Sequence, residues 1–268
     1  MAKIEVRDVA YQYAGGGGPI LENLSLAVEE GEFVCVVGRS GCGKTTLLRL
    51  LAGLASPTRG SIHMGGRPVT GPGTDRAVVF QDYPLFPWMS ARDNVLFGTR
   101  QTGKWTRSQA RQRAEAFLAR VGLAGEGGKY PCQLSGGMRQ RVALARALAM
   151  DTEVLLMDEP FGALDPKTRQ ELQGFLEELW LDARGRKTLV FITHDVDEAL
   201  RLADRVVFLS DKRISADLPI HLPRPRSGLE DWAVRRDSAR NALVRLFGKE
   251  DAVPCRDGNA GCSFPTPP

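Results

Sequence analysis

Gly38-Arg39-Ser40-Gly41-Cys42-Gly43-Lys44-Thr45 places glycines, a lysine and a threonine at the spacing G-x-x-x-x-G-K-[ST]. Glycines there let the backbone curl so that successive N–H groups point inward at an anion. A helix opening at this point would turn its positive end to the same anion. Lys44 adds a point charge for the β- and γ-phosphates of a nucleoside triphosphate, and the Thr45 hydroxyl is a hard oxygen ligand of the kind Mg²⁺ prefers. Cys42 reads either as a small residue in a tight loop or as a thiol activated by the helix end.

A second chemical group follows the apolar run Val154-Leu155-Leu156-Met157, which ends in Asp158 and Glu159. Acids at the C-terminal end of a buried strand stand where parallel sheets bind ligands. Asp158 is suited to holding a Mg²⁺ shell and Glu159 to polarising an attacking water. His194 stands likewise at the end of an apolar run, Leu189 to Thr193. Ser135-Gly136-Gly137 opens a helical stretch; a serine and two glycines make either an ordinary N-cap or a further anion site.

The elements that must position these groups are legible in outline. Ile4 to Arg7 and Leu24, Leu26 and Val28 alternate apolar with polar, as half-buried strands do, and Gly15 to Gly18 between them form a loop. Phe33 to Val37 is wholly apolar and suits a buried parallel strand, followed by the glycine loop and a helix over Thr45 to Leu54. Ser61 to Val69 reads as a hairpin around Gly65-Gly66, and Ala77 to Phe80 as another buried strand. Ser108 to Val121 is helical with Ala114, Phe117, Leu118 and Val121 on one face, and Gly136 to Met150 is a further helix. Val154–Met157, Leu189–Thr193 and Val206–Leu209 are strand-length runs separated by helical stretches. The alternation predicts an α/β fold with a parallel-sheet core, an N-terminal antiparallel β subdomain and a helical insertion over about 82–150. The last twenty residues, rich in proline and glycine, read as a disordered tail after a helical stretch over Leu229 to Phe247.

In their order along the chain these features resemble the ATP-binding subunits of ABC transporters: the phosphate loop, Gln81 after a strand, Leu134-Ser135-Gly136-Gly137-Met138-Arg139-Gln140, Asp158-Glu159, Ala163-Leu164-Asp165 and His194. The resemblance spans residues 1–226 as one ATP-binding domain, with 227–268 as a C-terminal extension. It implies a P-loop ATPase fold, ATP and Mg²⁺ as cofactors, and ATP bound by Tyr13, Gly38, Arg39, Ser40, Gly41, Cys42, Gly43, Lys44, Thr45 and Thr46. Tyr13 would stack on adenine, unless it simply packs on its sheet. Glu159, His194 and Gln81 would be catalytic, and Thr45, Gln81 and Asp158 would hold the metal. Leu134, Ser135, Gly136, Gly137 and Gln140 would close over ATP held by a second copy, with Asp165 at the dimer seam. The implied assembly is a homodimer beneath an integral membrane permease, served indirectly by a solute-binding protein, on the cytoplasmic face of a bacterial membrane.

Tyr83 to Gly98 is apolar, aromatic and broken by prolines; the resemblance implies a permease-receiving groove, with Phe86 and Trp88 as contacts, against the simpler reading of core packing. Gly71 to Arg76, Leu85 to Trp88, Pro160 to Asp165 and Leu222 to Arg226 are similar to the nitrate, sulfonate and taurine importer group. An aliphatic sulfonate or taurine comes first among the implied substrates, with nitrate, bicarbonate or a thiamine-precursor-like molecule as alternatives.

Composition narrows the rival classes. Of 268 residues, 43% are hydrophobic and 25% charged, which excludes a disordered or collagen-like chain. The apolar runs fall far short of the ~20 residues of a membrane span, and the first residues carry no apolar signal core, so no export is expected. Five scattered cysteines form neither a metal cluster nor a disulfide framework, which fits a reducing compartment. A net charge of +4 does not argue for nucleic acid, and the basic stretch Arg100 to Arg113 reads as a solvated face. A GTPase would carry an Asn-Lys-x-Asp motif, which the chain lacks. A non-transport ABC ATPase of DNA repair or translation would typically add a coiled coil or a second cassette.

Overall fold

The computed structural model describes residues 2–16, 18–181 and 187–226; the expected C-terminal extension, its helix and its tail lie outside them. Two sheets carry the fold. The first is antiparallel, in the order β2-β1-β4-β5, from β1 (Ala2–Tyr11), β2 (Leu21–Glu29), β4 (Arg59–Met64) and β5 (Arg67–Pro68). Its alternating sequence buries Ile4, Val6, Leu24, Leu26 and Val28 on one face and leaves polar residues on the other.

The second sheet runs β10-β9-β3-β8-β7-β6. Its strands are β3 (Phe33–Val37), β6 (Arg76–Val79), β7 (Val154–Asp158), β8 (Thr188–Thr193), β9 (Arg205–Ser210) and β10 (Arg213–Pro219). Four of its five strand pairings are parallel; β10 pairs antiparallel with β9 at the edge, so the expected parallel core gains an antiparallel margin. Every residue of β3, β7 and β8 is buried, as uninterrupted apolar runs require when both faces are covered. Val34 and Val36 face α1 (Lys44–Ala52) and the antiparallel sheet; Phe33, Cys35 and Val37 face the opposite helical layer.

Between β6 and β7 stand α2 (Ala91–Gln101), α3 (Arg107–Arg120) and α4 (Gly136–Ala149), the helical insertion the sequence predicts. Ala110, Ala114, Phe117 and Leu118 make the buried stripe of α3, and a Thr106–Gln109 capping box fixes its start. Two further helices, α5 (Pro166–Leu181) and α6 (Val196–Leu202), complete the layer. Among the described residues no helix is long and apolar enough to cross a membrane.

Candidate nucleotide site and family

Four adjacent parallel strands deliver the chemistry to one edge. Val37 pairs with Thr193, Asp158 with Ile192, and Val79 with Met157. The loops leaving β3, β8, β7 and β6 therefore emerge together and bring Gly38–Gly43, His194, Asp158-Glu159 and Gln81 to the C-terminal margin of the sheet. Tyr13, Ile20, Ser40, Gly41, Gly43, Lys44, Thr45, Thr46, Gln81 and Glu159 line one cavity of 360 Å³ there. A larger cavity of 610 Å³ lies elsewhere, against Trp105, Arg113, Phe117, Asp151 and Lys187. Its cations are already engaged, Lys187 with Asp151 and the Thr152 carbonyl, Arg113 with the Ala149 carbonyl and the Trp105 ring.

The loop geometry explains its composition. A Cβ on Gly38 would stand 2.3 Å from the Leu209 carbonyl oxygen, and Gly43 has φ +107° with a prospective Cβ 2.7 Å from Leu21. Gly43 caps α1 with no side-chain hydrogen bond and no acid follows in the first turn, so the helix N–H groups and dipole stay available to an anion. Lys44 is 7% exposed and its ammonium donates to the Gly38 and Arg39 carbonyls, both at 2.8 Å, with Cys42 Sγ at 3.9 Å. These bonds hold the one buried cation of the loop beneath the cavity. Tyr13 lies just past β1, not within it; its hydroxyl shares a hydrogen bond with Thr46 Oγ1 at 3.1 Å and its ring packs edge-on against Tyr11.

Asp158 is 2% exposed and bonded to the Thr45 side chain. Burial pushes its carboxyl above the usual carboxylate range, Glu159 adds to the rise, and the Thr45 hydroxyl and Lys44 ammonium oppose it. Glu159 sits between two partners: His194 Nδ1 at 3.1 Å from Oε1, and Gln81 Nε2 at 3.5 Å from Oε2, the outer limit of a hydrogen bond. A carboxylate only accepts, so Nδ1 carries the proton in that contact. The His194 side chain is exposed, which removes the reading of a satisfied core histidine.

Glu159 has φ +46°, a conformation bulky residues rarely adopt. Its N–H donates to the Ile192 carbonyl at 3.0 Å, and its carbonyl accepts from Gly162 N–H at 3.2 Å and Tyr83 Oη at 2.8 Å. Burial pushes the Tyr83 phenol up to about 12, with the Glu159 charge adding to it. Sequence reading missed Tyr83 in this place; nothing local to it signals a contact with a carbonyl so distant along the chain.

The remaining predicted residues lie outside the cavity. Ser135 is exposed and caps α4, accepting from Met138 N–H at 3.2 Å; Gly136 is exposed beside it and Gly137 is half-buried near Ala163 and Leu164. Asp165 is exposed and caps α5, accepting from Thr168 N–H at 3.0 Å; that bond holds its carboxyl below the usual range. Leu134 and Gln140, expected to face a second copy, are turned inward within this chain. Both are buried, Leu134 in the helical layer's core and Gln140 at 0% exposure, where its Nε2 donates to Tyr83 Oη at 2.7 Å and to the Pro160 carbonyl. Gln140 lies on the buried face of α4 while Ser135, Gly136 and Arg139 are exposed, so a contiguous motif splits between surface and core.

Trp88 is 70% exposed and packs at a tilt against Phe86, ring centres 5.6 Å apart, and Phe86 meets Phe97 edge-on at 4.7 Å. Beside them an apolar groove of 360 Å³ is lined by Pro84, Leu85, Phe86, Phe97, Arg146 and Met150 among others. The core-packing reading thus fails for Trp88 and holds in part for half-buried Phe86.

Comparison with known proteins bears on the whole chain. Residues 21–162 match the family described as ABC transporter. The chain is 48% identical to a bicarbonate transport ATP-binding protein of Synechocystis sp., over 94% of this chain and 93% of the relative. It is 46% identical to a nitrate import ATP-binding protein of Synechococcus elongatus (86% and 87% covered) and 50% identical to a taurine import ATP-binding protein of Chromobacterium violaceum (78% and 79%). Among solved structures it resembles a dimeric bacterial ABC transporter cassette, with a TM-score of 0.74, 32% identity, and 82% of this chain and 100% of that one covered. A second dimeric cassette structure, in a post-hydrolysis state with ADP and Pi, matches with a TM-score of 0.74, 31% identity and the same coverage. A family match over just over half of the chain, with relatives near half identical along almost all of it, leaves one assignment: the chain belongs to the ABC transporter family, among its ATP-binding, ATP-hydrolysing subunits.

Proposed function

We propose that this chain, with residues 1–226 as its ATP-binding domain, powers the uptake of a small oxyanion-bearing solute. The observation that carries the reading is the meeting of Gln81, Glu159 and His194 at the mouth of the phosphate-loop cavity. In this reading the loop N–H groups and Lys44 hold the β- and γ-phosphates, and Tyr13 supplies a ring for adenine. Glu159 takes the proton of the attacking water, His194 steadies the carboxylate and the γ-phosphate, and Gln81 completes the polar ring.

Thr45, Asp158 and Gln81 can each present a side-chain oxygen, and no group of three or more His, Cys, Asp or Glu side chains that could hold a metal ion exists among the described residues. That donor set fits Mg²⁺, which takes few protein ligands alongside phosphate and water. Bound there, Mg²⁺ would neutralise charge on the phosphate oxygens.

Ser135 and Gly136 stand exposed, Gly137 half-buried, and all three lie away from the chain's own cavity, which favours their closing over nucleotide held by a second copy in a symmetric dimer, with Asp165 at the seam. Trp88, Phe86 and the adjoining groove are the surface for a helix of a separate permease chain, which would keep this subunit on the inner face of the membrane.

The solute stays a class. Relatives of closely similar identity are named for bicarbonate, nitrate and taurine, and in this reading the solute is selected by the permease and the solute-binding protein. A sulfonate such as taurine is the first candidate and nitrate or bicarbonate the alternatives. The test is a pull-down of tagged Glu159→Gln from detergent-solubilised native membranes with ATP. Capture of a multi-spanning permease with a solute-binding protein supports uptake and identifies the class; capture of only ribosomal or DNA-associated proteins moves the ATPase to a non-transport role. The same variant should bind ATP, dimerise and hydrolyse only at a slow residual rate; hydrolysis at the normal rate removes Glu159 as the base.

A further inference from the structure

We propose that Tyr83 is a positioning residue for hydrolysis: its hydroxyl, oriented by Gln140 of α4, holds the main chain of Glu159 in the conformation that sets the carboxylate between Gln81 and His194. The proposal rests on the reading of Glu159 as the base.

The direction of each hydrogen bond follows from what the atoms can do. The Pro160 carbonyl only accepts, so the Gln140 atom facing it is the amide nitrogen. The same nitrogen lies 2.7 Å from Tyr83 Oη, which therefore accepts there and keeps its own proton to donate. The Glu159 carbonyl, 2.8 Å away, takes that proton. One amide thus fixes one phenol, and between them they hold the carbonyls of Glu159 and Pro160.

The need for such a hold is in the backbone. Glu159 has φ +46° and Tyr83 also has φ +46°, so two residues in a sparsely populated conformation face each other across one hydrogen bond. Such conformations persist where surrounding bonds over-determine them. At Glu159 these are the Ile192, Gly162 and Tyr83 contacts, of which only the last comes from a side chain. Without Tyr83 the carbonyl keeps only the longer Gly162 bond, which would let the peptide rock and move the carboxylate from its place.

Tyr83 also ties this place to the helical layer. The next residue's carbonyl, Pro84 O, accepts from Arg146 Nη2 at 2.8 Å, so α4 grips residues 83 and 84 at two points. A shift of α4 with the Pro84–Trp88 segment therefore reaches the Glu159 carbonyl through the Tyr83 hydroxyl and the adjoining Pro160 carbonyl through Gln140 itself.

The experiment is ATP hydrolysis by the full-length chain across ATP concentrations, for wild type, Tyr83→Phe, Glu159→Gln and the double variant. Phenylalanine keeps the ring and removes only the donor. The expected result is a kcat about 10-fold lower with KM within about twofold, and no further slowing when Tyr83→Phe is added to Glu159→Gln. An unchanged kcat, a loss confined to KM, or an equal additional slowing on the Glu159→Gln background overturns the proposal. Should Tyr83→Phe fail to fold by circular dichroism, Gln140→Met tests the same bonds from the other end, with the same expected split and the same refuting outcomes. Full activity of Glu159→Gln alone would instead strike the underlying reading of the base, whatever Tyr83→Phe does.

Discussion

Asn94 offers a stability test whose size can be worked from its bonds. It is 0% exposed, in the first turns of α2, directly beneath the aromatic patch. Its Oδ1 accepts from Phe86 N–H at 2.8 Å. Its Nδ2 faces the carbonyls of Phe86, Met89 and Ser90 at 3.2, 3.1 and 3.0 Å. Two N–H protons serve those carbonyls, so the side chain makes one accepted and two donated bonds. At about 1 kcal/mol each, and more where a buried partner is left unpaired, Asn94→Ala should lose about 3 kcal/mol. For a chain of this size that is a fall in Tm of about 6–12 °C. Asn94→Asp is the sharper comparison: nearly the same shape, it sets an oxygen against three carbonyl oxygens, and its loss should exceed that of alanine. Urea denaturation followed by circular dichroism measures both. A loss under about 0.5 kcal/mol for alanine, or an aspartate variant as stable as wild type, would refute the reasoning. Since the bonds converge on Phe86, Asn94→Ala should also weaken permease capture in the pull-down.

Three further outcomes follow from the site and its surroundings. Ser135→Arg removes the cap of α4, costing about 1 kcal/mol, and should leave ATP binding by the monomer intact while abolishing the dimer of the Glu159→Gln background; normal dimers on gel filtration would refute the split site. Asp158→Asn removes a charge that burial disfavours and keeps an acceptor for Thr45, so melting in EDTA should occur at a higher temperature while Mg²⁺-dependent hydrolysis is lost; a lower melting temperature would refute the burial argument. For Asp151, burial opposes ionisation, but Lys187, Arg113 and Lys104 outweigh it and hold the carboxyl below the usual range. A depressed carboxyl contributes stability above its unfolded pKa of about 3.9 and loses it as pH falls through the folded value. Asp151→Asn, tolerated at φ +56°, should therefore be less stable than wild type at pH 7, with the gap closing below about pH 4; a gap independent of pH would refute the assignment.

The phosphate loop was legible because everything that makes it is local: an apolar strand, glycines that only a tight turn would need, and a helix start in sequence. The meeting of Gln81 with Glu159 was not, since they stand 78 positions apart and are joined by a strand order, β3-β8-β7-β6, that no single segment encodes. Strand β10 carried its alternation openly at Ile214, Ala216 and Leu218, yet charged neighbours and an exposed edge hid it among loop residues. The deeper misses share one chemistry. Tyr83, Gln140 and Asn94 are polar side chains, at least partly buried, whose partners include main-chain carbonyls of residues near the site or the patch. Hydrophobic periodicity reports which face of an element is buried, and motif spacing reports which side chains meet a ligand. Neither reports where a carbonyl will point, because that depends on backbone angles such as the φ of +46° at Glu159, which the fold imposes and the residue type opposes. Gln140 shows the consequence: its place within a surface motif reads as a contact for another subunit, whereas its partners turn it inward to brace the residue that the motif of a different strand supplies.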